Sequence, residues 1–222
     1  MARRTKEAAA ETRNRLLDTA EQVFIDKGVS RTSLDDIAAA AGVTRGAIYW
    51  HFKNKSDLFE AMMQRMKLPL EELMVRATEE NADDPFASLR ARSLTILKRL
   101  AIDTQWQRVS EICRFKVEYV DEMETYLRKR HLECRNSSLL RIEDTMREGM
   151  KRGQLSAAID PKLSAVGLYA LVDGLINNWL LDRKYLSLSK SAAPAIDAYL
   201  RGLLPRAGDK PAARRKTKKK RA

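Results

Sequence analysis

Residues 33–52, SLDDIAAAAGVTRGAIYWHF, contain two short helical patterns separated by a glycine. Ser33 and Asp36 have the spacing of a capping box, so we expect the first helix to begin at the residue after Ser33. Gly42 follows the last apolar residue of that pattern and can adopt the left-handed conformation that ends a helix without steric cost. Thr44 then supplies an N-cap for the second helix. Two short helices around such a turn predict a helix-turn-helix.

The residues around this motif extend it into a three-helix unit. Ile48 and Phe52 lie one turn apart on the second helix and predict its buried face. Residues 12–27 have the apolar spacing of a preceding helix, and residues 54–57 form another capping box that opens a following one. We therefore expect a DNA-binding domain over residues 1–54.

The exposed side of the second helix carries residue types that bind DNA in the major groove. Arg45 is predicted to contact a base edge, because a bidentate Arg–guanine pair is the commonest specific contact. Gly46 permits close approach of the backbone. Trp50 and His51 each have an alternative, since Trp50 can brace the helix and His51 can form a fold-stabilising hydrogen bond. Contacts to phosphate or sugar are assigned to Ser33, Thr44, Tyr49, Trp50, His51 and Lys55.

The strings TRxxLLDTAExxFxxKG and TSLDDIAAAAGVTRGAIYWHFKNKSDLF, within residues 3–59, resemble the TetR family of bacterial repressors. They are most similar to its drug-efflux branch, with weaker similarity over residues 111–123 and 171–181. The resemblance implies an all-α protein of about nine helices, in which a C-terminal helical domain binds a ligand and dimerises. It also implies a repressor that binds a palindromic operator as a homodimer and is released by hydrophobic drug-like molecules.

The pattern over residues 55–205 is helical throughout and predicts the effector-binding and dimerisation domain. Pro69 falls inside the first of these helices, where it either bends the helix or ends it early. The predicted helices cover residues 54–80, 85–102, 105–120, 122–151, 161–184 and 189–204.

Residues 163–181 are almost entirely apolar, which predicts a helix that is buried on several faces. Small residues along one strip allow another helix to approach closely. The strip either builds a two-fold interface, as in TetR-family dimers, or packs inside the monomer. The predicted dimer contacts are Gly167, Ala170, Leu171, Gly174, Leu175, Tyr199 and Leu203.

Asp173 is the sole charge of that apolar run, and an unpaired buried carboxylate is costly. It therefore either faces a cavity or forms a structural salt bridge. Glu111 and Arg114 can likewise pair with each other across one helical turn. The efflux branch implies instead that these segments line an effector pocket, with walls formed by Ser110, Glu111, Cys113, Arg114, Tyr169, Val172, Asp173, Ile176 and Asn177.

Composition excludes several other classes of protein. No apolar run approaches the roughly 18–20 residues that span a bilayer, and the N-terminus lacks a signal-peptide core, so we expect a cytoplasmic protein with no membrane partner. Cys113 and Cys134 are too few for a disulfide framework and have no metal-binding spacing. The two histidines, His51 and His131, lie in no catalytic pattern, and no phosphate-binding loop is present. We therefore predict no enzymatic activity, metal or cofactor.

Residues 206–222 carry nine lysines and arginines against one aspartate, which is +8 of the net charge of +12. Their low apolar content predicts a disordered tail, either simply solvated or bound non-specifically to phosphate. Two alternative functions stay open: a protein that coats DNA without sequence preference, and a TetR-type regulator that senses a metabolite.

Deletion of residues 206–222 tests the phosphate-binding interpretation of the tail. We expect a shallower salt dependence of DNA binding, because fewer counterions are released, and an unchanged dimer. Anisotropy titrations at several salt concentrations measure the first quantity, and analytical ultracentrifugation measures the second. Loss of the dimer would contradict a disordered tail.

Overall fold

The computed structural model describes the backbone of residues 2–117 and 121–207 and the side chains of residues 6–117 and 128–207. Within these ranges every regular element is helical, as predicted, and no strand forms. The elements are α1 (Ala2–Lys27), α2 (Leu34–Ala40), α3 (Arg45–His51), α4 (Lys55–Glu79), α5 (Pro85–Ile102), α6 (Thr104–Glu111), a π-helix (Ile112–Lys116), α7 (Asp121–Lys151), α8 (Pro161–Leu181) and α9 (Leu188–Arg201).

Most helix boundaries lie close to the predicted start and stop signals. α4 continues through Pro69, which lies on its exposed side, so the helix does not end early there. The single helix predicted over residues 105–120 divides instead into α6 and the π-helix. Five residues are too short a stretch for apolar spacing to distinguish a π-helix from an α-helix. Most of the predicted basic tail, residues 208–222, lies outside the described residues.

The first three helices and the start of α4 enclose one hydrophobic core. We call residues 2–54 the head and residues 55–207 the body. The Phe24 and Phe59 rings lie 6.2 Å apart between centroids and join α1 to α4. Because all three head helices bury a face here, α3 is fixed in orientation against the other two. Fully buried side chains of this core include Leu16, Leu17, Phe24, Ile37, Ile48, Phe52, Leu58 and Phe59.

The body is built around α5, which packs against α4, α7, α8 and α9. Its main hydrophobic core is distinct from that of the head, but Met66 of α4 packs against both, and Val109 of α6 and Ile112 of the π-helix belong to the head core. No helix in the described ranges combines the length and apolarity needed to cross a membrane. Core residues of the body include Leu89, Leu97, Leu100, Met146, Leu168, Ile196 and Leu200.

A buried carboxylate joins the head to the body. Glu21 of α1 is fully buried and accepts hydrogen bonds from Gln105 Nε2 (2.9 Å) and Arg108 Nη2 (3.1 Å), both on α6. Arg65 Nη1 of α4 lies 3.5 Å from the same carboxylate. Removing one member of a buried ion pair leaves the others without a counter-charge, which is costly. Glu21 therefore holds α1, α4 and α6 together.

Glu21→Ala tests this junction. We expect the free energy of unfolding to fall by about 2–3 kcal/mol, which is below the loss for a fully buried pair, because the two arginines keep partial contact with water. Denaturant titration measures this loss. Glu11→Ala, at an exposed position of the same helix, is the control and should change stability by less than about 0.5 kcal/mol. Equal losses in the two variants would contradict the role of Glu21.

Candidate DNA-binding and effector sites

The predicted caps fix the helix-turn-helix. Ser33 Oγ accepts from the Asp36 amide at 3.1 Å, and the Ser33 amide donates to Asp36 Oδ2 at 2.8 Å, which completes the capping box. The Ser33 hydroxyl and amide, followed by Lys27, lower the pKa of Asp36 to about 2. Gly42 has a φ of +66°, the left-handed conformation expected there. Thr44 caps α3 by accepting from the backbone amide at its third position.

The exposed side of α3 presents the predicted DNA-contacting residues. Trp50 is 73% exposed and Tyr49 44%, although apolar side chains of this size are usually covered. The Arg45 guanidinium lies 5.5 Å from the centre of the Tyr49 ring and 3.3 Å from a carboxylate oxygen of Asp35 on α2. A Cβ added at Gly46 would meet only one neighbouring atom, at 4.0 Å, so this surface is open to a ligand. The arrangement leaves Arg45 accessible at the start of α3.

His51 differs from its neighbours because it is half-buried. The Trp50 ring meets it edge-on at 4.6 Å between centroids. Burial, with a smaller contribution from Arg13, lowers the pKa of His51 below its usual value of 6.5. The lowered pKa favours the neutral imidazole at pH 7 in the free protein.

Lys55 does not occupy the place expected of a phosphate contact. Its ammonium group donates to the carbonyl oxygens of Val29 (2.8 Å), Ser30 (3.2 Å) and Thr32 (2.9 Å), in the loop between α1 and α2. An ammonium has three hydrogens, and these three acceptors satisfy them. The assignment of Lys55 to phosphate is therefore corrected: this side chain ties α4 to the loop that precedes α2. Nothing in the sequence pattern indicates a contact between residues that are 23 to 26 positions apart.

Two basic residues that were missed lie beside the same loop. Arg31 and Lys53 are exposed and line a cleft of about 540 Å³ between the α1–α2 loop and the end of α3. Ser33 and Tyr49 line it too, so four candidate phosphate-binding side chains meet there. Arg31 and Lys53 each lie within two positions of a helix N-cap. A basic residue beside an N-cap is the sequence pattern that could have identified them as phosphate contacts.

The structure brings the two halves of the predicted effector region together through ion pairs. Arg114 Nη2 lies 2.8 Å from Asp173 Oδ1, so α8 is tied to the π-helix. Glu111 pairs with Arg183 at 3.5 Å rather than with Arg114. Asp173 therefore forms a salt bridge, as one alternative predicted, and Glu111 and Arg114 pair with other residues rather than with each other.

The other predicted pocket residues differ in burial. Cys113 Sγ lies 3.2 Å from Met63 Sδ, and burial raises the pKa of its thiol to about 12, so it is not a reactive thiolate at pH 7. Tyr169 is half-buried, and burial, followed by Asp173, raises its pKa. Ile176 is buried in the body core, whereas Ser110, Val172 and Asn177 are half-buried. No group of three or more potential metal ligands occurs among the described residues.

Part of the predicted dimer surface is occupied inside the monomer. A Cβ at Gly167 would lie 2.3 Å from the Tyr199 hydroxyl oxygen, and that hydroxyl donates to Ser164 O at 2.7 Å. Leu203 is buried in the body core, where its carbonyl accepts from the Ser156 amide. Gly167 and Tyr199 therefore pack α8 on α9, and Leu203, just after α9, packs near the segment that precedes α8. These three residues follow the alternative of packing inside the monomer, which corrects their assignment as dimer contacts.

An exposed apolar strip nevertheless follows the outer side of α8. Leu163 is 68% exposed and Leu181 64%, at the two ends of the helix. Val166 and Ala170 are exposed between them, and a Cβ at Gly174 would meet no atom within 4 Å. Of the other predicted contacts, Leu171 and Leu175 are half-buried. The strip is a surface that another helix can cover.

Comparison with known proteins finds transcriptional-regulator families over both the N-terminal and the C-terminal parts of the chain. Residues 16–62 match the family described as bacterial regulatory proteins, tetR family, and residues 84–205 match the C-terminal region of MAATS-type transcriptional repressors. The HTH-type transcriptional regulator TtgR of Pseudomonas putida is 40% identical over 184 residues, which cover 82% of this chain and 86% of that protein.

Solved structures extend this similarity to the fold. NalD, described as the secondary repressor of the MexAB-OprM multidrug efflux pump in Pseudomonas aeruginosa, has a TM-score of 0.79 at 33% identity, over 89% of this chain and 98% of NalD. A SmeT–triclosan complex has a TM-score of 0.75 at 32% identity, over 91% and 96% of the two chains. SmeT is described as the repressor of the Stenotrophomonas maltophilia multidrug efflux pump SmeDEF.

Lys55→Met separates a structural role for this lysine from a phosphate contact. We expect a lower melting temperature, because three carbonyls lose their donor, and an unchanged salt dependence of DNA binding. Lys53→Met, in the cleft lined by Arg31 and Lys53, should leave stability unchanged. It should reduce the slope of log affinity for DNA against log salt concentration by about 1. A reduced salt slope in Lys55→Met would restore the phosphate assignment.

Proposed function

The chain belongs to the TetR family of bacterial transcriptional regulators, and on this premise we propose that it is a dimeric repressor of a drug-efflux operon. It binds a palindromic operator and leaves it when a hydrophobic small molecule binds the body. The observation that carries the proposal is α3: its inner side is fixed by Ile48 and Phe52 in the head core, while Arg45, Tyr49 and Trp50 lie uncovered on the outside. A regulator of this family is not an enzyme.

Arg45 reads the operator in this proposal. Its partner in the free protein, Asp35, is itself 47% exposed, so the pair is screened by water and weak. Guanine offers the guanidinium two acceptors in a fixed geometry, which is a better partner than one exposed carboxylate. Gly46 brings the backbone close to the DNA, and Thr44, Tyr49 and His51 contact the sugar–phosphate backbone beside Arg31 and Lys53.

A two-fold symmetric dimer accounts for the palindromic operator in this proposal. The exposed apolar strip on α8 is buried when the same strip of a second copy packs across it. Gly174 and Ala170 permit close approach at its centre. Two heads held by such an interface read half-sites about 34–36 Å apart, one turn of DNA.

The efflux assignment is supported by the relatives. NalD and SmeT are described as repressors of multidrug efflux pumps, and SmeT forms a complex with triclosan. By analogy a hydrophobic effector enters the body beside the residues that flank the Arg114–Asp173 pair. It changes DNA affinity only if it binds the DNA-incompetent arrangement more tightly. Such a regulator works in the cytoplasm, where the operator is.

Fluorescence anisotropy on the DNA upstream of the protein's own gene tests this function, with scrambled duplex of equal length and matched salt as the control. Selective binding that triclosan or another hydrophobic antibiotic reverses is the expected result. Selective binding that no drug affects would keep the regulator but favour a metabolite effector. Equal affinity for both duplexes would overturn the proposal in favour of a DNA-coating protein.

Arg45→Ala tests the assigned base contact. We expect a loss of about 1–3 kcal/mol in binding free energy on the operator and relaxed preference at one base position of each half-site. Anisotropy across a set of single-base operator variants measures both effects. Lys53→Ala is the matched control and should weaken binding to all duplexes equally. Uniform weakening in Arg45→Ala would assign Arg45 to phosphate instead.

A further inference from the structure

The π-helix, residues 112–116, is attached to the head. Ile112 is fully buried in the head core, and Cys113 packs against the same core. The carbonyl of Lys116 accepts a hydrogen bond at 2.9 Å from the amide of Val29, which lies in the loop between α1 and α2. A helix of five residues has little stability of its own, so the position of the π-helix depends on such contacts.

The hydrogen bond from Val29 is a firm attachment because Val29 is buried. A buried amide that loses its acceptor finds no water to replace it, which is costly. The loop that contains Val29 is itself braced, since Lys55 donates to the Val29 carbonyl and the Thr32 hydroxyl donates to the Gly28 carbonyl at 2.7 Å. The head therefore follows the position of the Lys116 carbonyl.

The same π-helix is attached to α8 by an ion pair. Arg114 Nη2 lies 2.8 Å from Asp173 Oδ1, and both residues are half-buried. α8 carries the exposed apolar strip of the proposed dimer. A second link runs from Arg183, two residues after the end of α8, to Glu111 of α6, so loss of the Arg114 pair loosens the π-helix without freeing α6. The π-helix thus connects the proposed dimer helix to the head.

We propose that Arg114 is a positioning residue for DNA binding. Paired with Asp173, it holds the π-helix against α8, and the Lys116 carbonyl in turn holds the head through Val29. The distance between the two recognition helices of a dimer then depends on this pair, although Arg114 lies in the body. The inference rests on the proposed function, since it takes the α8 dimer and the palindromic operator from it. It goes further by naming the side chain that sets the half-site spacing.

Duplexes that differ in half-site spacing test this role on the full-length protein. They are the operator found upstream of the protein's own gene, the same operator with one base pair added at its centre, and a duplex with a single half-site. We expect Arg114→Met to raise the Kd for the operator about threefold to tenfold, because a loosened head holds the spacing less firmly. The penalty for the added base pair should shrink, and the Kd for the single half-site should stay unchanged. Fluorescence anisotropy measures all three.

Arg90→Met is the matched control. The ion pair of Arg90 with Asp197 joins α5 to α9 within the body, and its two side chains have nearly the same exposure as those of Arg114 and Asp173. Both variants should lower the melting temperature, but only Arg114→Met should change the operator Kd.

Two further variants separate the ion pair from other effects of the substitution. Asp173→Asn keeps the size of the side chain and should act on the operator Kd as Arg114→Met does. Arg114→Lys keeps the charge and should stay within about twofold of wild type, because the observed pair uses one nitrogen and one oxygen rather than a two-pronged contact.

Hydrogen exchange of the Val29 amide, followed by NMR without DNA, tests the link itself. We expect about tenfold faster exchange in Arg114→Met, because the acceptor of this amide is held less firmly, and an unchanged rate in Arg90→Met.

Unchanged Val29 exchange in Arg114→Met would overturn the proposal, and so would equal losses on the operator and the single half-site. The same rise of the operator Kd in Arg90→Met would also overturn it, because it would reduce the effect to lost stability. Failure of the proposed function is measured separately, as equal affinity of the wild-type protein for operator and scrambled duplex. The exchange rate of Val29 decides the link in either case, since it requires no operator.

Discussion

The buried carboxylate of Glu21 is the constraint on which the arrangement of head and body depends. It comes from the first helix of the head, yet its hydrogen-bond partners stand on α6, with Arg65 of α4 beside it. A charge with no exposed surface cannot exchange these partners for water without a large cost. Any movement of α6 or α4 in the body must therefore either carry α1 with it or break this cluster. In either case the position of the head responds to the body.

This coupling matters because the head itself is rigid. The caps of α2 and α3, the fully buried core and the Lys55 ammonium on three carbonyls leave α3 little freedom relative to α1. Rotation of α1 therefore moves Arg45 together with the rest of the head as one rigid unit. In a dimer joined through α8, a small rotation changes the distance between two recognition helices, and a palindrome of fixed spacing is sensitive to that distance. The proposed mechanism needs no rearrangement within the head.

Charge pairing also joins helices within the body. Arg114 of the π-helix pairs with Asp173 of α8, and Arg90 of α5 pairs with Asp197 of α9. Each contact joins elements that are far apart in the chain and is satisfied within the protein. The relative positions of these helices therefore depend on ion pairs as well as on apolar packing.

Local signals were sufficient for the helices and the recognition motif. The capping box at Ser33, the left-handed Gly42 and the apolar spacing of α3 act over a few residues, so the sequence predicted them, together with the exposed position of Arg45. Contacts between distant segments were decided only by the tertiary structure: Arg114 and Asp173 are 59 positions apart, and Lys55 reaches back 26 to Val29. Tyr199 against Gly167 and the buried Glu21 belong to the same group. Periodicity says which side of a helix is buried, but the partner of a charge depends on how helices far apart in the chain pack together.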